Sequence, residues 1–112
     1  MMRHTLRLGG KNVTLRYTVN SICCLEEHCG QGLSALLRTD VACVRALIWC
    51  GMLDAAPQTT LEETGALMDR ALRDGQTLPE LARHCALALE AAGFFPKAER
   101  HRPRRGRSAT SS

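Results

Sequence analysis

Apolar and polar residues alternate along the first eighteen positions of this chain, then give way to a three-and-four spacing that runs through the rest of its body. Residues 4–8 (HTLRL) and 13–18 (VTLRYT) flank Gly9-Gly10-Lys11-Asn12. Glycine and asparagine tolerate positive φ, so the pattern predicts a β-hairpin closed by a four-residue turn. Its inward positions are Leu6 and Leu8 on one arm, and Val13, Leu15 and Tyr17 on the other. A lone hairpin is marginal in water, so this one is expected to lie against helices.

The helices follow from spacing and punctuation. Ile22, Leu25 and Cys29 form one buried stripe, predicting a helix over 21–29 with Asn20 as its N-cap, Glu26 and Glu27 on its outer face, and Gly30 as a left-handed C-cap. Residues 33–37 read as another turn or two of helix. Asp40 is positioned to cap a helix over 41–53, with Val44, Leu47, Ile48 and Met52 inward and Ala42, Arg45 and Trp49 toward another side. This is the most apolar segment and is expected at the centre. Thr60-Leu61-Glu62-Glu63 and Thr77-Leu78-Pro79-Glu80 are both capping boxes. The helix after the first ends near Leu72 and is lined by Leu61, Met68 and Leu72; the helix after the second runs to Ala92, stops at Gly93, and is lined by Leu78, Leu81, Cys85 and Leu89. The expected fold is mainly α: an N-terminal β-hairpin packed on a small bundle of four to five short helices, in a single compact domain over 1–95.

Composition sharpens this. Only one Trp, one Tyr and two Phe stand among 112 residues, so the core must be built from Leu, Ala, Val, Ile, Met and Cys, which favours packed helices over a large sheet. No apolar run approaches the ~18 residues a membrane span needs, and MMRHTLRLGG lacks a secretory h-region, so a cytoplasmic protein is expected. Residues 1–96 hold nine Lys/Arg against ten Asp/Glu, whereas 97–112 hold six Lys/Arg against Glu99. The segment 96–112 has no apolar side chain larger than Ala and reads as a basic, disordered tail. Such an arm can attract nucleic acid, but it lacks interleaved aromatics for base stacking, so nucleic acid is not the expected partner.

Cys23, Cys24, Cys29, Cys43, Cys50 and Cys85 all fall in predicted helices among apolar neighbours, where Cys acts as a small buried hydrophobe. Cys24 and His28 share a helix face beside Cys29, but there is no C-x-x-C pair to make a metal site, and none is expected. The same Cys24–His28 pair lacks an orienting third group or an oxyanion hole. Neither G-x-S-x-G, a phosphate-cradling glycine loop, H-E-x-x-H nor a Rossmann fingerprint is present. No catalytic residue and no cofactor are expected.

The blocks LRYTVNSICCLEEHCGQGLSALL, VRALIWCGML and TLEETGALMD, with a closing Leu/Ala helix, resemble in their order the tail assembly chaperones of siphophages and gene transfer agents, a family also labelled a tail tube protein family. Matching positions are Leu25, Glu26, Gly30, Leu36, Leu37, Arg45, Ala46, Leu47, Trp49, Gly51, Leu61, Glu63, Gly65 and Asp69, within residues 6–93. The richness in Cys and the Arg-rich end depart from the family pattern. The resemblance implies a non-enzymatic role in phage tail morphogenesis: binding the tape measure protein, keeping its apolar helices soluble, and helping to recruit tail tube subunits, with self-association possible. Small bodies with Leu/Ala/Met faces can offer a groove to an amphipathic helix. The expected contact residues are Trp49, Met52, Leu53, Met68 and Leu72. Two other classes remain open: a structural tail component of the virion, and a small DNA-binding regulator using the basic tail.

Overall fold

In the computed structural model, which describes residues 3–96, the chain opens with two antiparallel strands, β1 (His4–Leu8) and β2 (Lys11–Leu15). Leu8 pairs with Lys11, Leu6 with Val13 and His4 with Leu15, so the turn is Gly9-Gly10 alone, two residues shorter than the spacing predicted. Both glycines have positive φ (60° and 80°), as a type I′ turn requires, and that turn matches the twist of the strands it joins. Lys11 and Asn12 are thereby freed to pair. Residues 16–18 leave the ladder, but Tyr17 still points inward, and all five expected inward side chains are buried.

Five helices follow: α1 (Val19–Cys29), α2 (Leu33–Leu36), α3 (Val41–Met52), α4 (Leu61–Arg73) and α5 (Leu78–Ala91). The mainly α architecture with its N-terminal hairpin is as the sequence predicts. The expected tail falls, apart from Pro96, outside the described residues.

Two helix starts differ from expectation. Thr18, not Asn20, caps α1: its hydroxyl accepts from Ser21 N at 3.1 Å while Ser21 Oγ accepts from Thr18 N at 2.9 Å. Serine here stands in for the carboxylate of the usual capping box. Asp40 occupies the N-cap of α3 without a side-chain cap bond, and its carboxylate pairs instead with Arg38 at 3.0 Å. The boxes at Thr60 and Thr77 form as expected, and Gly30 is left-handed.

α3 is central: α1, α2, α4, α5 and β2 all pack on it. Val44, Leu47, Ile48 and Met52 are buried as predicted, joined by Ala46, Cys50 and Gly51. On α4 the buried stripe is Thr64, Met68 and Ala71, whereas Leu72 lies one helical step past it and is 41% exposed. Thr64 is tolerated there because its hydroxyl donates to Thr60 O at 3.0 Å. The Cys residues divide: Cys50 and Cys85 are buried, Cys29 and Cys43 half-buried, and Cys23 and Cys24 exposed, so the core reading holds only for the first pair.

Several contacts fasten the hairpin to the bundle. Tyr17 Oη donates to Leu47 O at 2.6 Å in the core, and Arg16 N donates to Gly51 O at 3.0 Å. Gly51 permits this approach: a Cβ there would sit 2.9 Å from Leu15 Cδ2 and 3.0 Å from the Tyr17 ring. At the opposite side, His4 Nε2 and His84 Nδ1 are 2.8 Å apart, joining β1 to α5.

Gly51→Ala should therefore lower the unfolding free energy by about 1–3 kcal/mol, as overpacked sites do; an unchanged urea midpoint would show that Tyr17 and Leu15 yield without cost. The histidine pair makes stability depend on pH. Burial first, and the charge of His84 second, hold His4 below its ordinary value of 6.5. The unfolded chain thus takes up its proton at a higher pH than the folded one. The stabilisation is complete above 6.5 and is lost as the pH falls below that value toward the lower folded pKa. Urea midpoints should fall more steeply between about pH 7 and about pH 5 for the parent chain than for His4→Gln. Equal slopes would contradict the assignment.

Candidate functional site

The largest concavity among the described cavities lies between α4 and the segment joining α3 to α4. It is an open groove of about 690 Å³ with Met52, Ala66 and Leu67 as apolar lining, Ala56 and Pro57 on the loop wall, and Lys11 and Arg70 at its basic margin. Each wall has a local cause. The loop leaves α3 through backbone bonds from Leu53 N to Cys50 O and Ala56 N to Met52 O, then is anchored by Trp49 Nε1 donating to Thr59 O at 2.9 Å. The α4 wall begins at the Thr60 capping box, where Glu63 Oε1 accepts from Thr60 N at 2.9 Å. Glu63 lines the groove, but its carboxylate is held by that cap.

The hairpin tip closes the third side. Gly9 sits so close to α4 that a Cβ on it would lie 2.7 Å from Leu67 O. A smaller cavity of about 120 Å³ runs along β2 between Asn12, Val13, Thr14 and the Ala55-Ala56 loop. It shares Lys11, Met52 and Ala56 with the main groove, so the two adjoin.

The five residues expected to meet a partner are not gathered on one surface. Met52 and Met68 are 4% and 3% exposed and belong to the core. Met52 presents a sliver to the groove, whereas Met68 is turned inward. Trp49 is half-buried, packed against the core and 5.1 Å from the His28 ring, and it shapes the groove by holding the loop. Leu53 is half-buried at the start of that loop. Leu72 is exposed but is not among the groove's lining residues. The groove residues that sequence reasoning missed include Lys11, Ala56, Leu67 and Arg70. Leu67 and Arg70, one turn apart on α4, were the available signal, hidden because Leu67 flanks the stripe that Met68 defines.

The positions carrying the resemblance are mostly architectural. Leu25 and Leu47 are core. Glu26 is drawn in from the outer face expected for it, its Oε2 accepting from Leu33 N at 2.7 Å, which ties α1 to α2. Gly30 ends α1, Glu63 caps α4, and Gly51 admits Tyr17. Arg45 lies along Gly65, with its Cδ 3.5 Å from where a Cβ on that glycine would be. Asp69 is exposed.

No group of three or more His, Cys, Asp or Glu among the described residues is arranged to hold a metal ion. Burial pushes the Cys50 thiol up to about 11 and the Cys85 thiol up to about 12, so both are protonated at neutral pH. A protonated thiol is neither nucleophile nor metal ligand. Among the described residues no helix is long and apolar enough to cross a membrane. No protein family, curated protein or solved structure matches this chain.

Trp49→Phe keeps the aromatic bulk and removes the bond to Thr59. It should cost about 0.5–1.5 kcal/mol of stability and speed amide exchange in the loop over 53–60. If the loop amides exchange at the parent rate, Trp49 does not hold the groove wall.

Proposed function

We propose that this chain is a tail assembly chaperone of the kind found in siphophages and gene transfer agents. It would act without catalysis, binding the tape measure protein and assisting the assembly of tail tube subunits around it. The observation that carries this reading is the groove between α4, the loop after α3 and the start of β2, about 690 Å³ in volume with Met52, Ala66 and Leu67 as its apolar lining. Its support from sequence is the order of the blocks around Leu25, Trp49 and Glu63.

The physics suits a holdase. A single small body offers a modest apolar contact, too slight to grip an isolated segment tightly. Many copies spread along one long chain would together shield surface that would otherwise associate. The reading of a virion tube component draws less support, since the described residues contain one two-stranded sheet and thus no broad β-surface for a ring.

Co-expression with a tape measure protein, followed by solubility assay and pull-down, tests the proposal. The tape measure protein should remain soluble and co-purify with this chain. Leu67→Asp, which places a charge on the trough, should reduce capture at least ten-fold while far-ultraviolet circular dichroism is unchanged. A tape measure protein equally soluble without this chain, and never found with it, would overturn the assignment.

A further inference from the structure

The two edges of the hairpin are unequal. With Leu8 and Lys11 joined across a two-residue turn, the ladder bonds fall at Leu8–Lys11, Leu6–Val13 and His4–Leu15. The main-chain groups of Arg7 and Thr5 on β1, and of Asn12 and Thr14 on β2, therefore point away from the partner strand. Two contacts agree with this register. Gln76 Nε2 donates to Arg7 O at 2.9 Å, and Arg16 N, next in the outward series on β2, donates to Gly51 O at 3.0 Å.

On β1 the outward carbonyl of Arg7 is taken by Gln76, and α4 and α5 pack on that strand. Along β2, the N–H and C=O of Asn12 and Thr14 make no internal hydrogen bond among the described residues. They face the channel of about 120 Å³ whose far wall is Met52, Ala55 and Ala56. A row of free donors and acceptors beside an apolar wall is a template for an added strand.

We infer that the β2 edge takes an extended segment of a partner protein as a third strand, with an acidic residue of that segment meeting Lys11 and Arg70. This rests on the reading of the channel as a docking surface, and it does not depend on which partner carries the segment. Alternate side chains of the added strand would face Met52 and Ala56, so they must be small or apolar, and those between face solvent. The charge follows from the margin: Lys11 and Arg70 make no ion pair among the described residues, and the groove's Glu63 is occupied by its cap. Residues 97–112 of this chain, with six Lys/Arg against Glu99, have the wrong charge for that margin.

The probe is a synthetic octapeptide of alternating Val and Thr with Asp at one end, titrated into the full ¹⁵N-labelled chain. Amide shifts should be confined to Asn12, Thr14 and the Ala55-Ala56 loop. At saturation, exchange of the Thr14 amide should slow at least ten-fold while that of Thr5 is unchanged, a measurement that needs no variant. Replacing the peptide's Asp by Lys, or Lys11→Glu in the protein, should weaken binding several-fold. Thr14→Pro removes one outward N–H and no ladder bond, and should weaken binding at least ten-fold; Thr5→Pro should not.

No shift at millimolar peptide, or shifts elsewhere, would overturn the inference. So would a concentration-dependent dimer of the chain alone that Thr14→Pro abolishes, because the edge would then be filled by a second copy. Undiminished capture of the tape measure protein by Thr14→Pro, with the peptide unbound to the parent chain, would remove the added strand and leave the docking reading standing.

Discussion

The fold depends on a close approach between Tyr17 and the third turn of α3. A two-stranded hairpin has too little surface to persist alone, and its inner side chains are of use only if something covers them. Tyr17 reaches over Gly51 and gives its proton to the Leu47 carbonyl, which seats the hairpin's outgoing chain on the helix that every other helix also touches. Burial raises the Tyr17 hydroxyl well above its ordinary value of 10.0, and the neighbouring Cys85 and Cys50 thiols add to the effect, so the hydroxyl stays a donor throughout the accessible pH range. Displace the ring, and Leu6, Leu8, Val13 and Leu15 lose the surface against which they are buried.

That constraint passes outward to the channel. The bond from Arg16 N to Gly51 O fixes where β2 leaves the sheet, and the salt bridge from Arg16 to Asp54 at 2.6 Å draws the loop after α3 toward the same strand. Trp49 then holds the far end of the loop at Thr59. The trough is the space left between a strand and a loop that are each pinned to α3, so its width is set by these anchoring contacts more than by the residues that line it.

Much of this fold is legible in the sequence. The alternation of Leu6 and Leu8 with Thr5 and Arg7 marks an inward face, and the boxes at Thr60 and Thr77 mark helix starts, because each signal is local and has one physical reading. The misplaced features arise from competition between local options. Asn20 is a good cap in isolation, yet Thr18 with Ser21 satisfies two donors where Asn20 would satisfy one. Asp40 could cap α3, but Arg38 claims its carboxylate. Leu72 has the apolarity of a core residue and the wrong angle, being one step past Ala71. The site was less legible than the fold, since a groove is a relation between Lys11 on one strand and Leu67 on a helix more than fifty positions away. The blocks that suggested a family proved to be those that build the frame: Gly51, Glu63 and Gly30 are there for packing and capping.

Trp49 carries one more consequence. It is the chain's single tryptophan, half-buried, against the His28 ring and bonded to the loop that walls the trough. Every photon of indole emission from this protein therefore comes from one place, beside the loop that walls the trough. The molecule contains its own optical gauge of that loop, needing neither a dye nor a substitution.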